Sequence, residues 1–188
     1  IIILSFKNPK ITQILIVAYF LRIFSVYINI FIQSLPDSQS DALVFQEIAM
    51  SFAKNDTYEL LKSFTGPDTY FISWFYALFT VLFDESLLLL HSLSVFFGVG
   101  TVFLLWLLAK ELWGEKAANI SAWIAAFFPS LILYSAITMR ESFLTFFLIM
   151  ACIGLVKTMK TYKLKYILLS LFSFYIGSFF HGTMIFGA

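Results

Sequence analysis

The stretch SLLLLHSLSVFFGVGTVFLLWLLA, Ser86 to Ala109, contains no Asp, Glu, Lys or Arg. At a rise of about 1.5 Å per residue, a helix of this length exceeds the ~30 Å hydrocarbon core of a bilayer. A helix on a water-soluble protein needs a polar face, and this one has only His91 and scattered hydroxyls. It reads as a spanning helix. Outward from it the composition recurs. Ile11 to Ile32 is apolar around a single Arg22, Ala117 to Ala136 carries Pro129, a kink site, and Ser142 to Val156 and Tyr166 to Phe180 can each extend at their ends. A sixth run, Tyr70 to Phe83, is too short for a full crossing and suits a re-entrant or interfacial helix.

The whole chain agrees. Its 188 residues are 61% hydrophobic, 20% aromatic and 12% charged, with mean hydropathy +0.91. Soluble domains carry about 25% charged residues, so a soluble globular domain and a disordered chain are excluded. One cysteine, Cys152, cannot staple a secreted module, and a formal net charge of +1 leaves no footprint for nucleic acid. The expected fold is an all-α, polytopic integral membrane protein of about five spanning helices, forming one membrane domain over residues 1–188. The start at Ile1-Ile2-Ile3 and the stop at Gly187-Ala188 read as those of a fragment.

Charge sets the expected topology. If Tyr70–Phe83 does not cross and the N-terminus is cytoplasmic, Lys7, Lys10, Lys110, Lys116, Lys157, Lys160, Lys163 and Lys165 lie inside, and only Lys54, Lys62 and Arg140 lie outside. The positive-inside rule favours that arrangement. Trp106 and Trp113 then fit an interfacial belt. Residues 33–85 become a large outer loop, acidic through Asp37, Asp41, Glu47, Asp56, Glu59, Asp68, Asp84 and Glu85. Within it, residues 41–54 read as an amphipathic helix with Phe45, Ile48, Ala49 and Phe52 on one face, expected to lie on the membrane surface. Gly66-Pro67-Asp68 is a turn leading into the short apolar run.

The order of features resembles a known family. An arginine-bearing first helix is followed by an outer loop with Ser40-Asp41-Ala42-Leu43-Val44-Phe45. The aromatic segment Tyr70-Phe71-Ile72-Ser73-Trp74-Phe75 comes next, then Leu112-Trp113-Gly114-Glu115-Lys116-Ala117-Ala118, then Pro129-Ser130-Leu131, Ser135 and Glu141. Over roughly residues 11 to 160 this resembles the N-terminal portion of GT-C type membrane glycosyltransferases, the protein mannosyltransferase and aminoarabinose-transferase-like superfamily. The Asp-Glu pair common in the first loop of protein mannosyltransferases is replaced here by Asp41-Ala42. The resemblance implies transfer of a sugar from a polyprenyl-phosphate donor to a hydroxyl or similar acceptor on a glycan, lipid or protein. The transfer is expected at the outer face of a bacterial or archaeal plasma membrane, with inversion.

The chemistry selects candidate residues. A hydroxyl needs a positioned carboxylate to take its proton, and a departing phosphate needs a guanidinium or similar donor. Asp41 is the first choice for the base; its plainer role is to cap the loop helix. Asp37, after Pro36, is the second choice or else a solvated turn residue. Glu141 resembles the second outer acid of the superfamily, although a carboxylate in a first helical turn is favoured by the dipole in any case. Arg140 is expected to bind the lipid phosphate or anchor to headgroups. Arg22, near the middle of its span, is either functional, as an intramembrane charge is by default, or a packing arginine. His181 is placed to contact phosphate or a metal, or simply to pack; His91 is weighed in the same way. Outer carboxylates can hold Mg²⁺ or Mn²⁺, though no metal-ligand spacing is present. Gly98-x-Gly100 suits close helix packing. A lipid-linked polysaccharide polymerase or ligase and a multi-span transporter are the alternatives.

Overall fold

The computed structural model describes residues 8–54, 57–64, 66–83 and 86–187. Lys7, Asp56, Asp84 and Glu85 lie outside the described residues. Among the described residues all regular structure is helical: α1 (Pro9–Phe31), α2 (Asp41–Ala53), α3 (Thr57–Lys62), α4 (Phe71–Phe83), α5 (Leu87–Trp113), α6 (Glu115–Phe127), α7 (Pro129–Ala136), α8 (Glu141–Thr161) and α9 (Leu164–Phe180), followed by a 3₁₀ turn over Gly182–Gly187. Helices α1, α5 and α8 are long and apolar enough to cross a membrane, and α6 with α7, bent by 55°, makes up to a fourth crossing. The fifth expected crossing corresponds to α9, which with α4 is a shorter apolar helix.

Two breaks set the geometry. Gly114 ends α5 at φ +85°, a conformation glycine adopts without a Cβ penalty, and its N–H donates to the Lys110 carbonyl at 3.1 Å. Glu115 opens α6 in the next position, where the helix N-terminus favours a carboxylate. At the second break Phe128 is extended (ψ 117°) and Pro129 takes the first position of α7. The residue before a proline is pushed out of the helical region, so the expected kink becomes a true interruption.

Helix α5 is the central post. Val95, Val99, Val102 and Trp106 meet Ile11, Ile14, Leu15 and Ala18 of α1 and Ala118, Ala122 and Ala125 of α6. The alanines let these helices approach closely. A second cluster joins Phe45 and Ala49 of α2 to Ile72 and Tyr76 of α4, Phe143 of α8 and Phe180 of α9. The α2 face marked by periodicity for the membrane surface is therefore occupied by protein. Trp106 is also buried, its indole N–H donating to Asn119 Oδ1 at 2.9 Å, whereas Trp113 is 72% exposed. Trp106 is thus a packing residue rather than part of the expected belt.

Polar contacts define two ends of the bundle. Asn8, at the start of α1, donates to Glu115 at 3.1 Å, and Glu115 also meets Lys110 at 3.4 Å. Glu111 pairs with Lys157 at 3.1 Å and its carbonyl accepts from Lys160. The start of α1 and the end of α5 thus lie together. Residues 32–86, between the two helices, begin and finish at the opposite end, as a non-crossing α4 requires.

Candidate active site

The site end is built where residues 33–54 dock on the α7–α8 connection. Thr138 Oγ1 donates to the Ala42 carbonyl at 3.2 Å and accepts from Gln46 Nε2 at 2.6 Å. The Tyr134 hydroxyl donates to Asp37 Oδ2 at 3.3 Å, and Ser142 Oγ donates to the Tyr134 carbonyl at 2.8 Å. Asp37 sits at φ +63°, a left-handed turn that short polar side chains tolerate. Its carbonyl accepts from the Ser40 N–H and hydroxyl. These contacts bring Asp37 and the start of α2, where Asp41 is exposed, alongside the segment that carries Arg140 and Glu141.

Asp41 is not the N-cap of α2. Ser40 holds that position, and its side chain makes no capping bond. Asp41 instead occupies the first turn of α2 and is exposed. Glu141 is the corresponding residue of α8. Its Oε2 is buried without a hydrogen-bond partner among the described residues, and it lines a cavity of about 60 Å³ with Gly98, Thr101, Ser130 and Tyr134. Burial first, and the Glu141 charge as a lesser cause, hold the Tyr76 phenol above its ordinary range, against the opposing hydrogen bond with Ser94 at 2.7 Å. Tyr76 therefore stays a neutral hydroxyl.

Arg140 and His181 share a second cavity, of about 360 Å³, with Pro67, Asp68, Thr69 and Gly182. His181 Nδ1 accepts from the Thr183 N–H at 3.4 Å and lies 2.7 Å from the Thr183 hydroxyl. With Nδ1 accepting, the neutral ring carries its proton on Nε2, which is then a donor. A guanidinium and an imidazole N–H around one polar cavity suit a phosphate. Among the described residues no three His, Cys, Asp or Glu side chains converge as a metal would require.

The remaining candidates lie deeper. His91 is buried, with Nδ1 2.8 Å from the Ala136 carbonyl, so it ties α5 to the end of α7. Arg22 is 0% exposed, and its Nη1 donates to the carbonyls of Ala18 at 3.1 Å and Ala126 at 3.4 Å. A Cβ at Gly98 would lie 3.1 Å from Arg22 Nε and 2.3 Å from Ser135 Cβ. Arg22 therefore reaches the glycine that also lines the Glu141 cavity. Asp68 and Tyr134 join the site residues only through the fold. Asp68 was one loop acid among eight, and Tyr134 one of nine tyrosines; only the fold singles them out.

Spanning helices around a charged, acid-bearing end define an integral membrane protein of the all-helical class. A family model described as dolichyl-phosphate-mannose-protein mannosyltransferase matches residues 67–187, and the chain belongs to that family, which is of the GT-C glycosyltransferase type. No curated protein and no solved structure matches it. The matched residues include Asp68, Tyr134, Arg140, Glu141 and His181; Arg22, Asp37 and Asp41 precede them.

Proposed function

We propose that the chain moves a sugar from a polyprenyl-phosphate donor to a hydroxyl or similar acceptor, on a glycan, lipid or protein, at the outer membrane face. One observation carries the reading. The docked loop brings the carboxylates Asp37, Asp41 and Glu141 to the same end of the bundle as the cavity shared by Arg140 and His181. The acceptor oxygen attacks the anomeric carbon while the bond from that carbon to the phosphate oxygen breaks. Asp41 takes the hydroxyl proton, with Asp37 the second choice for this role. The phosphate leaves with the bonding electron pair, and Arg140 and the Nε2–H of His181 stabilise its charge. Glu141 is the second acid and orients the acceptor. A donor with a hydrocarbon tail accounts for carrying such chemistry on a membrane-spanning chain.

The test is transfer from a short-chain polyprenyl-phosphate sugar by the complete protein in nanodiscs. Asp41→Asn is expected to lower kcat by roughly 10²–10⁴-fold, the usual worth of a general base. Arg140→Met is expected to weaken donor binding and slow transfer. Undiminished transfer by Asp41→Asn would remove Asp41 from the mechanism.

A further inference from the structure

The interruption at Phe128–Pro129 leaves the last carbonyls of α6 without the N–H groups that a continuous helix would supply. In a bilayer such groups need a protein partner, since no water is there to satisfy them. The C-terminus of α6 also carries roughly −0.5 of an elementary charge. Arg22 answers both needs: it is fully buried, and its Nη1 reaches the Ala126 carbonyl at 3.4 Å. It also lies close to the far side of the break, by way of Gly98. Gly98, whose missing Cβ makes room for Arg22 Nε, is in direct contact with Ser135 of α7. One side chain on α1 thus bonds the end of α6 and packs at Gly98 of α5, the glycine that Ser135 of α7 also abuts. The short α7 rod bears Tyr134, bonded to Asp37, and feeds Thr138 and Glu141.

We infer that Arg22 is a positioning residue for the candidate site: it fixes the α6–α7 elbow, and through α7 it holds Tyr134, Thr138 and Glu141 against the docked loop. The inference rests on the sugar-transfer reading only for what is positioned; the elbow itself does not depend on it.

The experiment reads docking without reference to activity. In a Cys152→Ser background, Gln46→Cys and Thr138→Cys replace the side chains in hydrogen bond between α2 and the α7–α8 connection. The fraction of disulfide in a glutathione redox buffer reports their effective concentration in the complete, nanodisc-embedded protein. Arg22→Leu is expected to lower it about tenfold, a coupling of ordinary size, and Arg22→Lys to restore most of it. Gly154→Ala, which strains the distant α8–α9 contact, should reduce overall stability and leave the pair unchanged. If Arg22→Leu leaves the effective concentration unaltered, or Gly154→Ala lowers it equally, Arg22 does not position the site. Should Arg22→Leu not be recovered folded, Arg22→Gln takes its place, with an intermediate fall expected and no fall overturning the inference. A chain with this response but no transfer activity would sink the reaction and keep the elbow; activity without the response would do the reverse.

Discussion

At the scale of single residues, Glu141 places two requirements in opposition. The first turn of α8 favours a carboxylate, but its Oε2 has no partner among the described residues, and burying an unpaired charged oxygen is costly. A residue that a fold tolerates at a cost is a sign of chemistry. Glu141→Gln is therefore expected to slow transfer by about 10²-fold or more while leaving Tm at or above that of the unmodified protein. A fall in both would assign Glu141 to structure. Gly98 shows the opposite case, a residue whose absent side chain matters. A Cβ there would sit 2.3 Å from Ser135 Cβ, so Gly98→Ala should cost about 1–3 kcal/mol, as overpacking does. Thermal unfolding in detergent would measure it. The sequence pointed to close packing at Gly98 but gave no hint of Arg22 beside it.

At the scale of elements, periodicity and breakers fixed where the helices run, and contacts decided what they face. The α2 stripe of Phe45 and Ala49 was legible as apolar. Whether it met lipid or protein depended on Ile72 and Tyr76, which are distant in sequence. Pro129 announced a kink, but the donor for the freed carbonyls lies on α1, and no local pattern links Arg22 to Ala126. The α8–α9 hairpin makes a sharp prediction. A Cβ on Gly154 would fall 2.8 Å from the Ser170 nitrogen and 2.9 Å from the Tyr166 carbonyl oxygen. Backbone cannot step aside as a side-chain tip can. Gly154→Leu should part the two helices and lower Tm by several degrees more than Gly100→Leu, where the neighbour is the movable Phe146 ring.

At the scale of the whole molecule, the charges divide. Lys110, Glu111, Glu115, Lys157 and Lys160 gather at one end, and the candidate site occupies the other. The exposed pairs among them contribute little to stability; their weight is topological. Tyr162, 88% exposed, marks the lysine end. With Cys152→Ser and Tyr162→Cys, a membrane-impermeant thiol reagent is expected to label only after lysis. Labelling in intact cells would put the lysine end outside and Asp41, Arg140 and Glu141 inside, against transfer at the outer face.

The sequence by itself determined the solvent and the elements. Uninterrupted apolar runs need a bilayer, backbone groups in a bilayer need helices, and lysine asymmetry gave a preferred orientation. It also supplied the acids and cations that the chemistry needs. It could not group them, because Asp37 meets Tyr134, Ala42 meets Thr138, and Asp68 lines one cavity with Arg140 and His181 across long stretches of chain. Only tertiary packing decides such pairings. Among near-uniform apolar helices, which faces meet is set by a few small residues and buried polar groups, Gly98, Gly154 and Arg22 here, whose partners no local pattern names.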